Sequence, residues 1–317
     1  LLNRLLCGPE QIKARTGRKR MVGSIETHKK PSGTFSAEKY RERLQAFDAA
    51  VCEAVAVSQA CAERFEAPAV GYSTHVFARI CAHAQAMMCA APKSRWVRRE
   101  FDIWDVSSVA SHARSILEGY LLFRYLADAP DDLDTQRAYV QVMHLYDCMK
   151  RIKILPHVLS DEDIDGFQKQ AADIKARLEG IGYFANLDPK LKKELLAGKW
   201  LMITPQKAII SNLGINQSDF DFFWNYLSQY THVLSFTFYR IEPNGRGTGL
   251  ENDFDRDALC MVLEFCNGLL VTAVDRLIEL FPDAAEARQG LESKFAPGPI
   301  KNLPREIKRE RKKRRWR

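Results

Sequence analysis

Two short stretches of the sequence place ionisable and hydroxyl side chains inside otherwise apolar helical patterns. In the first, Arg114 and Glu118 stand four residues apart and so share one face of a predicted helix. In the second, Ser228 and His232 have the same spacing in a segment rich in aromatic residues. Because a buried charge is costly unless it is paired, we expect these four side chains to meet in space.

A cluster of this kind has two interpretations. As a catalytic site, His232 would act as a base beside Arg114, whose positive charge would stabilise an anion. As a structural network, the same groups would fix the register of two helices. The residues leave both open, since structural ion pairs perturb pKa values as active sites do. We expect no cofactor and no metal, because the sequence lacks the His-Glu-x-x-His and Glu-x-x-His patterns of zinc proteases and di-iron bundles.

A second arginine–histidine pair bears on the enzymatic interpretation. Arg151 and His157 have the short spacing found in metal-independent nucleases of the HEPN type. Pro156 lies between them, so we expect the pair to straddle a helix end instead of sharing a face. The chain is therefore predicted to be a binding or regulatory module; the alternative is a HEPN-like nuclease or hydrolase that uses His232 and Arg114.

The net charge of +7 is unevenly distributed along the chain. Residues 1–34 hold eight Lys/Arg and two Glu, and residues 301–317 hold ten Lys/Arg and two Glu, so the ends carry +6 and +8 and residues 35–300 carry −7. Glycine, proline and charge density predict a flexible basic arm over 1–34 and a disordered basic tail over 296–317. A helical domain over 35–295 lies between them.

The basic tail is a candidate for binding nucleic acid or another acidic partner through counterion release and stacking on a base. The residues concerned are Lys308, Arg309, Arg311, Lys312, Lys313, Arg314, Arg315 and Trp316. The alternative is a solubilising tail without a specific partner. The sequence leaves the oligomeric state open, a homodimer included.

Apolar residues recur with helical spacing along most of the chain and predict an all-α bundle of about eight helices. Ser36 begins the first helix, and Pro68 is expected to end it. The most apolar helix, about Asp253 to Phe281, is interrupted by charges and is expected to be a core helix instead of a membrane span. Only Leu234 to Ile241 has the alternation of a strand.

Cysteine usage and the N-terminus predict a cytoplasmic protein. The chain has eight cysteines but no Cys-x-x-Cys pair, and most of them fit helical periodicity as small apolar residues. Leu1 to Leu6 is too short for the apolar core of a signal peptide. We therefore expect reduced thiols.

The two polar stretches also carry a resemblance. An Arg-Ser-x-x-Glu helix followed by an apolar stretch (Arg114 to Leu126), together with a Gly-Lys segment, a Leu-Gly turn and a late Tyr/Ser-x-x-x-His helix (Gly198 to His232), resembles an uncharacterised, largely bacterial all-α family classed as a domain of unknown function. The resemblance covers about residues 100–280 and implies an all-α fold but no established activity. Helical relatives in phage-defence and toxin-like settings add some weight to the nuclease alternative.

Overall fold

A computed structural model of the chain describes residues 35–293, except 63, 65, 240, 243 and 244. The predicted basic arm over 1–34 and the basic tail after 296, with its candidate residues from Lys308 to Trp316, lie outside the described residues. Within the described part the α-helices are, in chain order, α1 (Ala37–Ala60), α2 (Pro68–Ala90), α3 (Ser107–Ala127), α4 (Leu133–Ile154), α5 (Asp161–Glu179), α6 (Gly182–Ala185), α7 (Pro189–Leu196), α8 (Gln206–Asn212), α9 (Gln217–Thr231), α10 (Ser235–Phe238) and α11 (Asp253–Leu280).

The all-α prediction is confirmed. Nine of the described helices have seven residues or more, slightly more than the eight or so predicted, and the described residues form no strand. A single β-bridge pairs Trp104 with Gly249. Two 3-10 turns, Pro282–Ala287 and Gly290–Glu292, follow α11.

Helix α3 lies at the centre of the bundle, as its broad apolar face predicts. It packs most extensively against α2, and also contacts α9 and α11. Helix α11 in turn packs along α1, and α4 pairs with α5. Large side chains such as Phe77, Phe123 and Phe265 are fully buried where these helices meet. The Phe223 and Phe265 rings stack 3.8 Å apart, which fixes α9 against α11.

Side-chain caps stand at the start of several helices, and the sequence predicts the one at Ser36. Ser36 caps α1, Asp188 caps α7, and Ser160 with Asp163 forms a complete capping box at α5. At the start of α9, however, Asn216 is the cap, and its side chain accepts hydrogen bonds from the backbone N–H groups of two residues in the first turn. Ser218, two residues later, lies inside the helix.

Two local predictions are wrong. Helix α1 ends at Ala60, and Pro68 begins α2 instead of ending α1, because the first turn of a helix does not need the N–H that proline lacks. The described residues between Leu234 and Ile241 form the single helical turn α10 instead of a strand. The described part of the chain offers no strand to pair with, so backbone groups bond locally, as in the bond from Tyr239 N–H to the Ser235 carbonyl.

Helix α11 is long and apolar enough, by length and composition, to cross a membrane, with a mean hydropathy of 1.6 over its most apolar window. Two thirds of that window (67%) is buried inside the bundle. This is the burial of a core helix, whose side chains are covered by neighbouring helices.

Candidate functional site

Arg114 joins helix α3 to helix α9. Its Nη1 donates hydrogen bonds to the Trp224 carbonyl at 2.5 Å and to Ser228 Oγ at 2.9 Å, and its Nε donates to Glu118 Oε1 at 2.8 Å. The guanidinium carbon lies 3.2 Å from the centroid of the Trp224 ring. Only 12% of the arginine side chain is exposed. The structure therefore brings Arg114, Glu118 and Ser228 together.

The other two members of this group differ in their surroundings. Ser228 Oγ donates to the Trp224 carbonyl one turn earlier at 2.7 Å, so that carbonyl accepts from both Ser228 and Arg114. Glu118 is 53% exposed, so one face of the cluster is open to water. The apolar pattern predicts that the Arg114–Glu118 pair is fully enclosed, whereas the structure leaves Glu118 half-exposed.

His232 stands apart from the other three. It is the C-terminal cap of α9, its side chain is exposed, and its backbone N–H bonds to the Ser228 carbonyl at 3.1 Å. Among the contacts of the described residues, none joins the imidazole to Arg114 or Glu118. The expected meeting of all four side chains therefore does not occur, because His232 lies where the helix ends and turns away.

The geometry at Arg114 favours the structural interpretation. An arginine that stabilises a developing anion must offer free donors to it. Here Nε and Nη1 are bonded to protein oxygens, and the guanidinium carbon lies over an indole ring. A catalytic role for Arg114, Glu118, Ser228 and His232 stays a prediction, as does the nuclease alternative. Arg151 pairs with Asp147 inside α4, while His157 lies beyond the helix end, as Pro156 predicts.

A second polar cluster, which we did not predict from the sequence, holds the connector between α2 and α3. The Asp48 carboxylate is buried and accepts hydrogen bonds from Arg95 Nε at 2.5 Å and Nη2 at 3.1 Å, and from Trp96 Nε1 at 2.9 Å. Cys52 Sγ also lies 3.5 Å from this carboxylate, and burial, followed by the charge of Asp48, raises the pKa of the thiol to about 12. The sequence signal available was one aspartate on the apolar stripe of α1.

Histidines form two further contacts between helices. Tyr72 Oη and His144 Nε2 lie 2.7 Å apart, which joins α2 to α4. His83 and His112 approach each other through their Nδ1 atoms at 3.4 Å, which joins α2 to α3. Burial lowers the pKa of His83, His112 and His144. Across the described residues, no group of three or more His, Cys, Asp or Glu side chains is arranged to hold a metal ion.

The cysteines of the described part are all free thiols, and most are buried in the helical core. A cleft of about 570 Å³ lies between α1 and α2 and is lined by residues that include Cys61, Arg64, Tyr72 and His75. Arg64 is engaged by Asp283 at 2.7 Å. The one arginine among the described lining residues is therefore already paired.

The most unusual surface follows the end of α9. Large apolar side chains are exposed there in close succession, and we call this surface the apolar shelf. Its members are Val233, Leu234, Phe238, Tyr239 and Ile241, with Ile103, Leu250 and Phe254 from the segments alongside. The Trp104–Gly249 bridge places Ile103 next to Gly249, where a Cβ would lie 3.5 Å from Ile103 Cγ2. Arg246 covers the ring of Phe254 at 3.5 Å.

The backbone that carries the apolar shelf is firmly held. Asn252 Nδ2 donates to the Gly245 carbonyl at 3.1 Å and to Asp255 Oδ2 at 2.6 Å, while Asp255 also accepts from Gly247 N–H at 2.8 Å. On the other side, the Phe236 ring packs against Tyr226 and Tyr230 of α9, with centroids 6.1 and 6.3 Å away. Burial, and then the neighbouring Tyr230, raises the pKa of Tyr226.

Val233 is a strained residue at the edge of this shelf. It has φ of 52°, in the left-handed region that β-branched residues rarely adopt. The turn is a Schellman motif, in which Leu234 N–H bonds to the Gln229 carbonyl at 3.0 Å. The ends of α7 and α8 form the same turn with Gly198 and Gly214 at the left-handed position. Strain of this kind is retained where another role requires the side chain.

Comparison with known protein families identifies a family to which the chain is similar. The model of a family of unknown function, DUF5677, matches residues 71–247, which extend from the first turn of α2 to the loop after α10. That range includes Arg114, Glu118, Ser228 and His232, both histidine contacts and most of the apolar shelf. No curated protein and no solved structure matches the chain. Because the matched range is more than half of the chain, the protein belongs to this family of unknown function, DUF5677.

Proposed function

We propose that the protein is an interaction module that binds a second copy of itself through the apolar shelf. The observation that carries this proposal is the exposure of the large side chains after α9, of which Tyr239 is 81% and Val233 71% exposed. Single exposed apolar residues are ordinary, whereas five of them within nine positions of the chain favour an interaction surface.

The rigidity of the surface supports binding over accidental exposure. The hydrogen bonds of Asn252 and Asp255 hold the loop beneath Leu250 and Phe254. The aromatic contacts of Phe236 hold the turn beneath Phe238 and Tyr239. A surface fixed in advance loses little conformational entropy when it binds.

The extent of the shelf suits a stable protein interface. Its eight members expose on the order of 900 Å² of side chain, taking about 200 Å² for each full side chain. A stable interface buries about 800 Å² on each partner. Aromatic side chains, which are enriched at the centres of such interfaces, contribute much of this area.

Charge favours a second copy of this chain as the partner. The carboxylates beside the shelf, Glu242, Glu251 and Asp253, are more exposed than the arginines they pair with, so the border of the shelf presents negative charge. The two ends of the chain carry +6 and +8. In a dimer, each copy presents an apolar surface with an acidic border. Its partner supplies basic segments of opposite charge.

The experiment is sedimentation velocity of the full chain over a range of concentrations. We expect a monomer–dimer equilibrium that shifts strongly toward monomer in the double variant Tyr239→Ser/Ile241→Ser. The matched control is Val158→Ser/Trp200→Ser, which removes two exposed apolar side chains far along the chain from the shelf. A monomer at every concentration, or equal dissociation in both variants, would refute the proposal.

A further inference from the structure

A cleft of about 450 Å³ lies between the first half of α1 and the connector that joins α2 to α3, and we call it the connector cleft. Its apolar lining comes from Tyr40, Leu44, Met88 and Trp104. The Tyr40 and Trp104 rings pack together, with centroids 4.9 Å apart and planes inclined at 52°. Sites for small organic ligands have this size and this kind of lining, to which a few polar groups are added.

Three basic side chains line the same cleft, namely Arg41, Lys93 and Arg95. Arg41 is exposed and takes part in none of the ion pairs of the described residues. Arg95 binds Asp48 through Nε and Nη2, which leaves its Nη1 without an acceptor in the described part of the chain. The Lys93 ammonium, 59% exposed, has three donors and lies 3.2 Å from one oxygen of Asp102. All three cations therefore keep donors for an anion in the cleft.

Lys93 stands at a position that would suit glycine. Its φ is 58°, in the left-handed region, where a lysine is strained. The backbone there is held from two sides, because Lys93 N–H donates to Asp102 Oδ1 at 2.9 Å and Tyr40 Oη donates to the Pro92 carbonyl at 2.8 Å. A glycine would keep both bonds without the strain, so what the lysine adds is its ammonium group at the cleft. Strained residues of this kind cluster at ligand sites.

Two carboxylates also line the connector cleft, and other groups of the protein offset both. Asp48 is buried and accepts from Arg95 and from the Trp96 indole. Glu251 lies 3.5 Å from Arg256. The donors left over belong to the cations, so an anionic ligand fits better than a neutral or cationic one. The two ends of this chain, which carry +6 and +8, have the wrong charge to fill the cleft.

We propose that the connector cleft binds a phosphate monoester of a planar, apolar group, with a nucleoside monophosphate as the reference ligand. Arginine and lysine are the side chains that bind phosphate, and a doubly charged phosphate suits three cations better than a single carboxylate would. The planar group would cover the apolar lining around Trp104. The cleft shares no residue with the apolar shelf, so ligand binding and self-association are separate properties.

The test is a calorimetric titration of the full chain with AMP, and with adenosine and inorganic phosphate as its two parts. We expect AMP to bind at least about tenfold more tightly than either part, because only AMP reaches both the cations and the apolar lining. Arg41→Gln and Lys93→Gly should each lower the affinity for AMP by about tenfold, as the loss of a hydrogen bond to a charged group does. The control is Lys39→Gln, which removes a lysine of α1 that does not line the cleft and should leave the affinity unchanged.

Two of the variants separate ligand binding from folding and from binding elsewhere. Lys93→Gly relieves the left-handed strain, so its melting temperature should not fall although its affinity does. Glu251→Gln removes a negative charge from the lining and should raise the affinity about twofold. The proposal would be overturned if AMP did not bind at about 1 mM. It would equally be overturned if Arg41→Gln and Lys93→Gly bound AMP as tightly as the unsubstituted chain, since the basic ends would then be the binding site.

Discussion

The Arg114 guanidinium carbon lies over the indole of Trp224, 3.2 Å from its centroid, and the same arginine donates to the carbonyl of that tryptophan. One side chain of α3 therefore holds both the backbone and the ring of a residue on α9. This arrangement explains why an apolar helix retains an arginine: its charge is spread over a π face, a carbonyl, a hydroxyl and a carboxylate.

We expect Arg114→Ala to lower the free energy of unfolding by about 2 kcal/mol, from the lost cation–π contact and charged hydrogen bonds. Glu118→Ala should cost less than about 1 kcal/mol, because an exposed carboxylate contributes little to an ion pair. This is below the roughly 3 kcal/mol that a fully buried pair would give. Urea denaturation of both variants checks the order. Arg151→Ala, which breaks the exposed pair with Asp147, is the control and should resemble Glu118→Ala.

Urea denaturation also tests whether His232 belongs to the cluster around Arg114. Because its side chain is exposed and lies outside the cluster, His232→Ala should change the free energy of unfolding by no more than about 0.5 kcal/mol, as surface substitutions do. A loss as large as that of Arg114→Ala would show that the histidine is part of the network after all.

The Asp48 cluster should control the connector between α2 and α3. Asp48→Ala leaves Arg95 and the Trp96 indole without their acceptor, so we expect a loss of about 3 kcal/mol in the free energy of unfolding. The connector should also become sensitive to trypsin at its basic residues, Lys93 to Arg99. The control is Asp147→Ala, which removes an exposed aspartate on α4; it should cost less than about 1 kcal/mol and leave the digestion pattern unchanged.

The extent to which the sequence predicted these features depends on the range of the interaction. The cap at Ser36 is a local feature, and the sequence predicts it. The i, i+4 pairing of Arg114 with Glu118 is likewise a property of one helix. Ser228 joins Arg114 and Glu118 once α3 packs against α9. The apolar faces of both helices favour that packing.

Contacts between residues that are far apart in the sequence produce no comparable local pattern. Asp48 and Arg95 are far apart in sequence, and only the packing of the connector over α1 brings them together. The i, i+4 spacing of Ser228 and His232 predicts that both lie on one face of a helix, but α9 ends at Thr231, one residue before His232. The sequence gives no glycine signal for the end of α9, because Val233 occupies the left-handed position that Gly198 and Gly214 occupy at the ends of α7 and α8. The exposed shelf could not be predicted because periodicity does not tell a buried apolar residue from an uncovered one.

The histidine contacts predict a pH dependence of stability. Burial lowers the pKa of His83, His112 and His144 in the folded chain, so on acidification the unfolded chain takes up protons first, near pH 6.5. Stability should therefore be fully present above about pH 7 and should fall as the pH drops toward about 5.5. Urea denaturation in chelator-containing buffer should show this slope, and the variant His83→Asn/His112→Asn should flatten it. His157→Asn, which removes an exposed histidine, should keep the slope of the unsubstituted chain.

The strain at Val233 leads to the last prediction, in which stability and self-association should change in opposite directions. A left-handed conformation costs an ordinary residue about 1 to 2 kcal/mol, and glycine avoids that penalty. Val233→Gly should therefore raise the free energy of unfolding by about 1 kcal/mol, once the greater flexibility of glycine in the unfolded chain is allowed for. Because Val233 is 71% exposed on the apolar shelf, the same substitution should weaken the dimer.

Denaturation and sedimentation of one variant measure both effects. The control is Val158→Gly, an exposed valine outside the left-handed region, which should lower stability slightly and leave association unchanged. If Val233→Gly were less stable than the unsubstituted chain, the turn would not be strained. If it were more stable and still fully dimeric, the valine would have no part in the interface, and its retention at the end of α9 would need a different explanation.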